Sequence, residues 1–177
     1  MISRLKLGAL AAAGALMIVP GAAATAGSAR PNVVEVAMGS QDHQTLVAAV
    51  KAAGLVDTLK GPGPFTLFAP TDAAFAKLPA GTVDTLLQPA NREQLRTVLT
   101  YHVVPGKVTS KELVRMIRAS NGEATLTTVQ GGALRARMVG NGVAIIDANG
   151  GTAMVTKADL ASSNGIIHVT DAVSLPK

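Results

Sequence analysis

Tyr101 and His102 adjoin inside the stretch Leu99-Thr-Tyr-His-Val-Val-Pro-Gly-Lys107, the one place where two polar ring side chains meet. Histidine changes charge near neutral pH and acts as a general base when a substrate proton lies within hydrogen-bond reach. Asp72, in Pro70-Thr-Asp72, is a lone carboxylate between an apolar run and a helical turn, a position open to a catalytic acid and more often filled by a helix cap. The histidines His43, His102 and His168 lie far apart, and none has a second histidine three or four residues away, so no metal site is expected. Cysteine is absent, and the serines occupy capping, loop or terminal contexts without a neighbouring base. No phosphate loop, dinucleotide fingerprint or serine elbow is present.

The helical phase around the pair favours architecture over chemistry. Asn91 and Gln94 form a capping-box-like start, and Leu95, Val98, Leu99 and His102 follow at i, i+3, i+4 and i+7. That spacing points the His102 imidazole inward, where it needs a partner, because an unsatisfied buried polar group costs ~1–3 kcal/mol. Before this helix, Asn32 starts a short turn that stops at Gly39, and Asp42 is the expected cap of a helix carrying Leu46, Val47 and Val50 up to Gly54. Phe65 to Ala69 reads as a buried strand, Thr71 or Asp72 caps the turn after it, and Thr82 caps the next. Thr109 with Glu112 opens another helix.

After Asn121-Gly122 the period becomes two: Leu134, Ala136 and Met138 alternate with Arg135, Arg137 and Val139. Asn141-Gly142, Asn149-Gly150 and Asn164-Gly165 supply turn signals tolerant of positive φ. Helices first and strands after indicate an α+β domain with a mostly antiparallel sheet.

Residues 1–26 read as a cleaved secretory leader: Arg4 and Lys6, an apolar run from Ala9 to Val19, and Ala24-Thr25-Ala26 as the cleavage site. A flexible segment over 27–31 and one domain over 32–177 are expected to remain, secreted or periplasmic and without a membrane anchor. The formal charge of +5 falls by two when Arg4 and Lys6 leave, and no basic cluster is interleaved with aromatics, which argues against nucleic-acid binding. Three phenylalanines and one tyrosine leave Val, Leu, Ile, Ala and Met to fill the core.

Three blocks resemble the fasciclin domain family: Phe65-Thr-Leu-Phe-Ala-Pro-Thr-Asp-Ala-Ala-Phe-Ala-Lys-Leu-Pro79, Tyr101-His-Val-Val-Pro-Gly106, and Asn164-Gly-Ile-Ile-His-Val-Thr-Asp-Ala-Val-Ser-Leu-Pro176. The resemblance implies a wedge-shaped β-sandwich with several short helices. It further implies a non-enzymatic module without a cofactor, acting in adhesion through a cell-surface or matrix protein or a polysaccharide. In animal members the Tyr-His motif and an Asp-Ile pair are linked to integrin binding; here Tyr101 and His102 match the first, and Asp159 with Leu160 occupies the place of the second. Some exported members that this chain resembles bind carotenoids, and Met38, Met116, Met138 and Met154 either offer an adaptable apolar surface to such a ligand or fill a core poor in aromatics. Lys111, Arg115 and Arg118 on one helix face, and Arg135 and Arg137 on one strand face, read as solvated surface or as a patch for acidic partners.

Overall fold

The computed structural model describes residues 30–177, so the expected leader and most of the segment after it lie outside the described residues. Asn32 starts α1 (Val33–Met38) through a capping box: its side chain accepts from the N–H groups of Val34 and Glu35, and Glu35 accepts from the Asn32 N–H. A 3-10 turn (Gln41–His43) leads to α2 (Gln44–Ala53), which stops at Gly54 in the left-handed conformation, φ 68°. Then come α3 (Val56–Lys60), β1 (Phe65–Pro70), α4 (Asp72–Ala76), α5 (Thr82–Leu86), α6 (Arg92–Tyr101), β2 (Val103–Pro105) and α7 (Ser110–Ala119). Five further strands complete the chain: β3 (Glu123–Thr127), β4 (Ala133–Val139), β5 (Gly142–Ile146), β6 (Thr152–Ala161) and β7 (Gly165–Thr170).

Thr71 and Thr109 cap α4 and α7 as expected. Three other expected caps are corrected. Ser40, not Asp42, accepts at the 3-10 turn. Gly81, with φ 82°, precedes α5 in place of a Thr82 cap. Asn91 sits before α6, but its side chain donates to the Thr85 carbonyl at 2.8 Å instead of accepting from the helix.

The seven strands form one sheet in the order β2-β1-β7-β6-β5-β4-β3. All neighbours are antiparallel except β1 and β7, which run parallel from Phe65 beside Gly165 to Pro70 beside Thr170. Beyond β3 the Val129 N–H donates to the Val103 carbonyl of β2 at 2.8 Å, which joins the two ends of the sheet. The fold is thus an α+β sandwich, with helices mainly in the first half and strands in the second.

Parallel strands are stable where both faces are covered, and β1 shows this residue by residue. Leu67 and Ala69 enter one core with Val33, Leu46, Val50, Leu95, Leu99 and Ile167 under α1, α2 and α6. Phe68 points the other way, into a second core with Tyr101, Leu113, Ile117, Leu126, Leu134 and Ile145 under α7.

The start of the parallel pair is clasped by Asn164. Its side-chain oxygen accepts from the Val33 N–H at 3.0 Å, and its amide donates to the carbonyls of Leu59 at 2.6 Å and Gly61 at 3.1 Å. Neither Asn164 nor Gly165 has positive φ, so the expected turn is a different device. A Cβ on Gly165 would collide with the Phe65 backbone oxygen, so glycine is required for close approach of the two strands. Asn164→Ala releases three backbone groups at once, and we expect it to lower unfolding free energy by about 2–3 kcal/mol, read from urea denaturation.

Candidate functional site

Tyr101 ends α6 and His102 follows it, so the motif stands where the helix passes into β2. Both are 1% exposed. The Tyr101 hydroxyl donates to the Ala133 carbonyl at 2.7 Å and accepts from the Ala148 N–H at 3.0 Å, tying β4 to the turn after β5. Gly132 is bare because a Cβ there would meet the tyrosine ring at 2.7 Å. Burial raises the Tyr101 pKa, opposed by the Ala148 N–H, so the phenol stays protonated.

The His102 ring bridges the helix and the C-terminal segment. A carbonyl only accepts, so Nδ1–H donates to Val98 at 2.8 Å and Nε2 accepts from the Ser174 N–H at 3.0 Å. Burial pushes its pKa below the ordinary 6.5, with the Val98 carbonyl and Asp147 opposing. A neutral imidazole with both nitrogens occupied has no capacity to take a substrate proton. The inward orientation expected from helical spacing is therefore observed.

Asp72 caps α2 rather than its own helix. Its carboxylate accepts from the N–H of Thr45 at 2.7 Å and of Gln44 at 3.3 Å, across 27 and 28 residues. Burial alone would raise its pKa, but these bonds outweigh it and hold the carboxyl below the usual 3.8. This is the donor pair that Asp42 was expected to serve.

Asp159 plays the same part for α7. It stands in a bulge of β6 with φ 60°, a left-handed conformation that aspartate tolerates better than most residues. Its carboxylate accepts from the Ser110 N–H at 2.7 Å and from the Ser110 hydroxyl. Burial pulls its pKa up, and the Ser110 bonds more than offset this. The Asp159 N–H reaches His168 Nδ1 at 3.4 Å, while His168 Nε2–H donates to the Val108 carbonyl at 2.8 Å and the ring stacks on Phe68 at 5.5 Å. Burial lowers the His168 pKa too.

Tyr101, His102, Asp72 and Asp159 are thus separate internal ties, not one constellation. Leu160 differs: it is half-buried in the wall of a cavity of about 240 Å³ between α1, the 3-10 turn before α2, β1, β6 and β7. His43 lines the same cavity at 5% exposure. Its Nδ1 bonds the Ser40 hydroxyl at 2.8 Å, and its Nε2 is buried without a hydrogen-bond partner. Burial lowers its pKa, opposed by Asp42, the nearby Ala69 carbonyl and Asp72.

His43 was missed as an inward residue although its signal is present. His43, Leu46, Val47 and Val50 repeat the i, i+3, i+4, i+7 spacing that placed His102. The methionines make no common groove: Met116 and Met138 pack on the second core, and Met38 is 41% exposed. Arg135 and Arg137 share one strand face and both reach Glu123, at 3.4 and 3.2 Å. Among the described residues no cluster of His, Asp and Glu is arranged to hold a metal, and no helix is long and apolar enough to cross a membrane.

The sequence profile of the fasciclin domain matches residues 41–176. Protein sll1483 of Synechocystis sp. is 48% identical over 145 residues, covering 81% of this chain and 73% of the relative. Immunogenic protein MPB70 of Mycobacterium bovis is 34% identical over 161 residues, covering 88% and 75%. Among solved structures, a FAS1 domain pair from the insect cell adhesion molecule Fasciclin I superposes with a TM-score of 0.72 at 22% identity, over 82% of this chain and 51% of that one.

Two measurements check the tie reading. His102→Ala leaves the buried Ser174 N–H unpaired and opens a cavity, an expected loss of roughly 3 kcal/mol, whereas Tyr101→Phe removes only the hydroxyl and costs about 1–2 kcal/mol. The buried histidines also set a pH window. Their folded pKa values lie below 6.5, so the unfolded chain takes up protons first as pH falls. Stability is fully present above pH 6.5 and is lost as pH drops below it, with a further loss below about pH 4 as Asp72 and Asp159 protonate. Urea midpoints across that range follow both steps, and a histidine substitution flattens the upper one.

Proposed function

The chain belongs to the fasciclin family, and on that premise we propose that it is an exported, non-enzymatic interaction module acting in cell adhesion, surface attachment or matrix association, secreted or periplasmic. The observation that carries this reading is that Asp72, Tyr101, His102 and His168 of the motif blocks, and Asp159 between the second and third blocks, are occupied by internal hydrogen bonds. What remains for function is the outer surface. The likeness to a domain pair from an insect cell adhesion molecule supports the same class of activity.

The α7 surface suits an acidic polysaccharide or the acidic face of a cell-surface or matrix protein. Lys111, Arg115 and Arg118 are exposed at i, i+4 and i+7, and Arg118 makes no ion pair among the described residues. The integrin-linked positions are a poorer contact surface, because Tyr101 and His102 are enclosed and the Asp159 carboxylate is held by Ser110.

The cavity beside His43 supports a second reading, carriage of a small apolar ligand. Its volume lies below the ~300–1,000 Å³ of drug-sized ligand sites, so it does not enclose a polyene of carotenoid length.

Immobilised protein incubated with envelope and matrix material from its own host is expected to retain a defined component, released by salt and weakened several-fold in the Arg115→Ser, Arg118→Ser double variant. Recovery no greater than from bare resin removes the adhesion reading. Colourless protein from that host, taking up no added carotenoid, removes the pigment alternative.

A further inference from the structure

After β7 the chain runs on over residues 171–177 without helix or strand and lies against the end of α6. Residues 173–177 are held by hydrogen bonds to side chains. The Ser174 N–H donates to His102 Nε2 at 3.0 Å, and the Leu175 N–H donates to Asp147 Oδ2 at 2.9 Å. Asn149 Nδ2 donates to the carbonyls of Leu175 at 3.1 Å and Pro176 at 3.2 Å. Clefts of about 460 and 350 Å³ open on the two sides of this segment, and Pro176 and Lys177 wall both. Leu86, Thr97 and Val98 line the first; Gln130, Gly132 and Ala148 line the second.

The chemistry of the fastening is asymmetric. A neutral imidazole has one donor and one acceptor, and the Val98 carbonyl at 2.8 Å fixes Nδ1 as the donor. Nε2 therefore holds Ser174 only while it carries no proton. A second proton leaves the Val98 bond intact and sets a donor against the Ser174 N–H. The ring's other bond runs to its own helix, so the segment is the cover that can lift without unfolding an element.

The charged surroundings couple the two backbone fastenings. Asp147, 4% exposed in the turn after β5, acts on the ring and favours its protonated form, against the burial that disfavours it. Its Oδ1 is occupied by the N–H groups of Asn149 and Gly151, and its Oδ2 by Leu175. An imidazolium attracts the same carboxylate that holds Leu175, so one proton loosens both bonds. The other charged groups nearby are engaged elsewhere or stand in water: Asp171, where the segment leaves β7, pairs with Lys77 at 3.5 Å, and Glu93 of α6 and Lys177 are exposed on the cleft rim.

We propose that residues 173–177 form an acid-released strap: protonation of His102 at Nε2 frees Ser174 and Leu175 while the sheet and both cores stay folded, and the two clefts then join into one groove along α6. The device stands apart from the adhesive surface on α7.

Amide hydrogen exchange of the full chain, read by NMR between about pH 7 and 5, tests it. Protection factors, taken against an unstructured chain at the same pH, remove the pH dependence of the exchange chemistry itself. The closed ring titrates below 6.5 and the uncovered ring near 6.5. Protons therefore favour the open form below 6.5, and protection at Ser174 and Leu175 is expected to fall about tenfold per pH unit there. Amides of β1 and β7, which exchange through unfolding of the whole domain, remain far better protected. In His102→Gln the side-chain oxygen can accept from Ser174 at every pH, so the slope at Ser174 and Leu175 disappears; a thermal melt confirms that the variant is folded. Protection that does not change with pH, protection that only follows that of β1 and β7, or a slope that survives in folded His102→Gln overturns the proposal. The 15N signals of the His102 ring test it without substitution: protonation of the ring while the Ser174 and Leu175 amide shifts stay in place also overturns it.

Discussion

Two parallel strands inside the sheet, β1 and β7, second and third in its order, impose the main constraint on this molecule. A parallel pair has to be covered on both faces, and a chain without cysteine has only packing and hydrogen bonds to do it. Hence two cores, one under α1, α2 and α6 and one under α7, divided by the alternation of Leu67, Phe68 and Ala69. The β1–β7 approach is close enough to exclude a side chain at Gly165, and the helices that cover it are tied down at that same end through Asn164. Distant parts of the sequence thus become stable together, as expected where long-range pairing supplies the core.

The polar residues inside follow from this layering. Helices packed on buried strands leave terminal N–H or C=O groups away from water, and beside the local caps Asn32, Thr71 and Thr109 the chain answers several of them with further side chains. Asp72 serves α2, Asp159 serves α7, His102 serves the end of α6 and the C-terminal segment, and His168 serves the backbone before α7. With few aromatics available, these rings also occupy volume, as the stack of His168 on Phe68 shows. The motif blocks are thus read best as fastenings: their residue types are those of catalysis, but their protons and lone pairs are already committed.

Much of this was legible in the sequence where the information is local. Helical phase placed His102 inward, period two placed Leu134 and Ala136 inside with Arg135 and Arg137 outside, and Asn32, Thr71 and Thr109 were readable as caps. What was not legible is who meets whom. Ser174 lies 72 residues from His102, and Ser110 lies 49 from Asp159; no periodicity encodes those partners. Asp42 looked like the cap of α2 because it is adjacent, while the true acceptor comes from 27 residues away. Asn164-Gly165 looked like a turn because the dipeptide favours one, yet its role is steric and depends on Phe65. Cavities are also invisible in sequence, since volume left empty belongs to no single residue.

The bond from Val129 to Val103 bears on how copies of this domain can meet one another. A sheet that ends in open strands offers rows of unpaired N–H and C=O groups to any other chain, the usual template for fibrous association. Here the end strand β2 is only three residues long, its far neighbour β3 is overlaid by α7, and that one bond draws the two ends together. A surface can therefore be crowded with copies of such a domain, or strung with several in series, without their sheets zipping into one another.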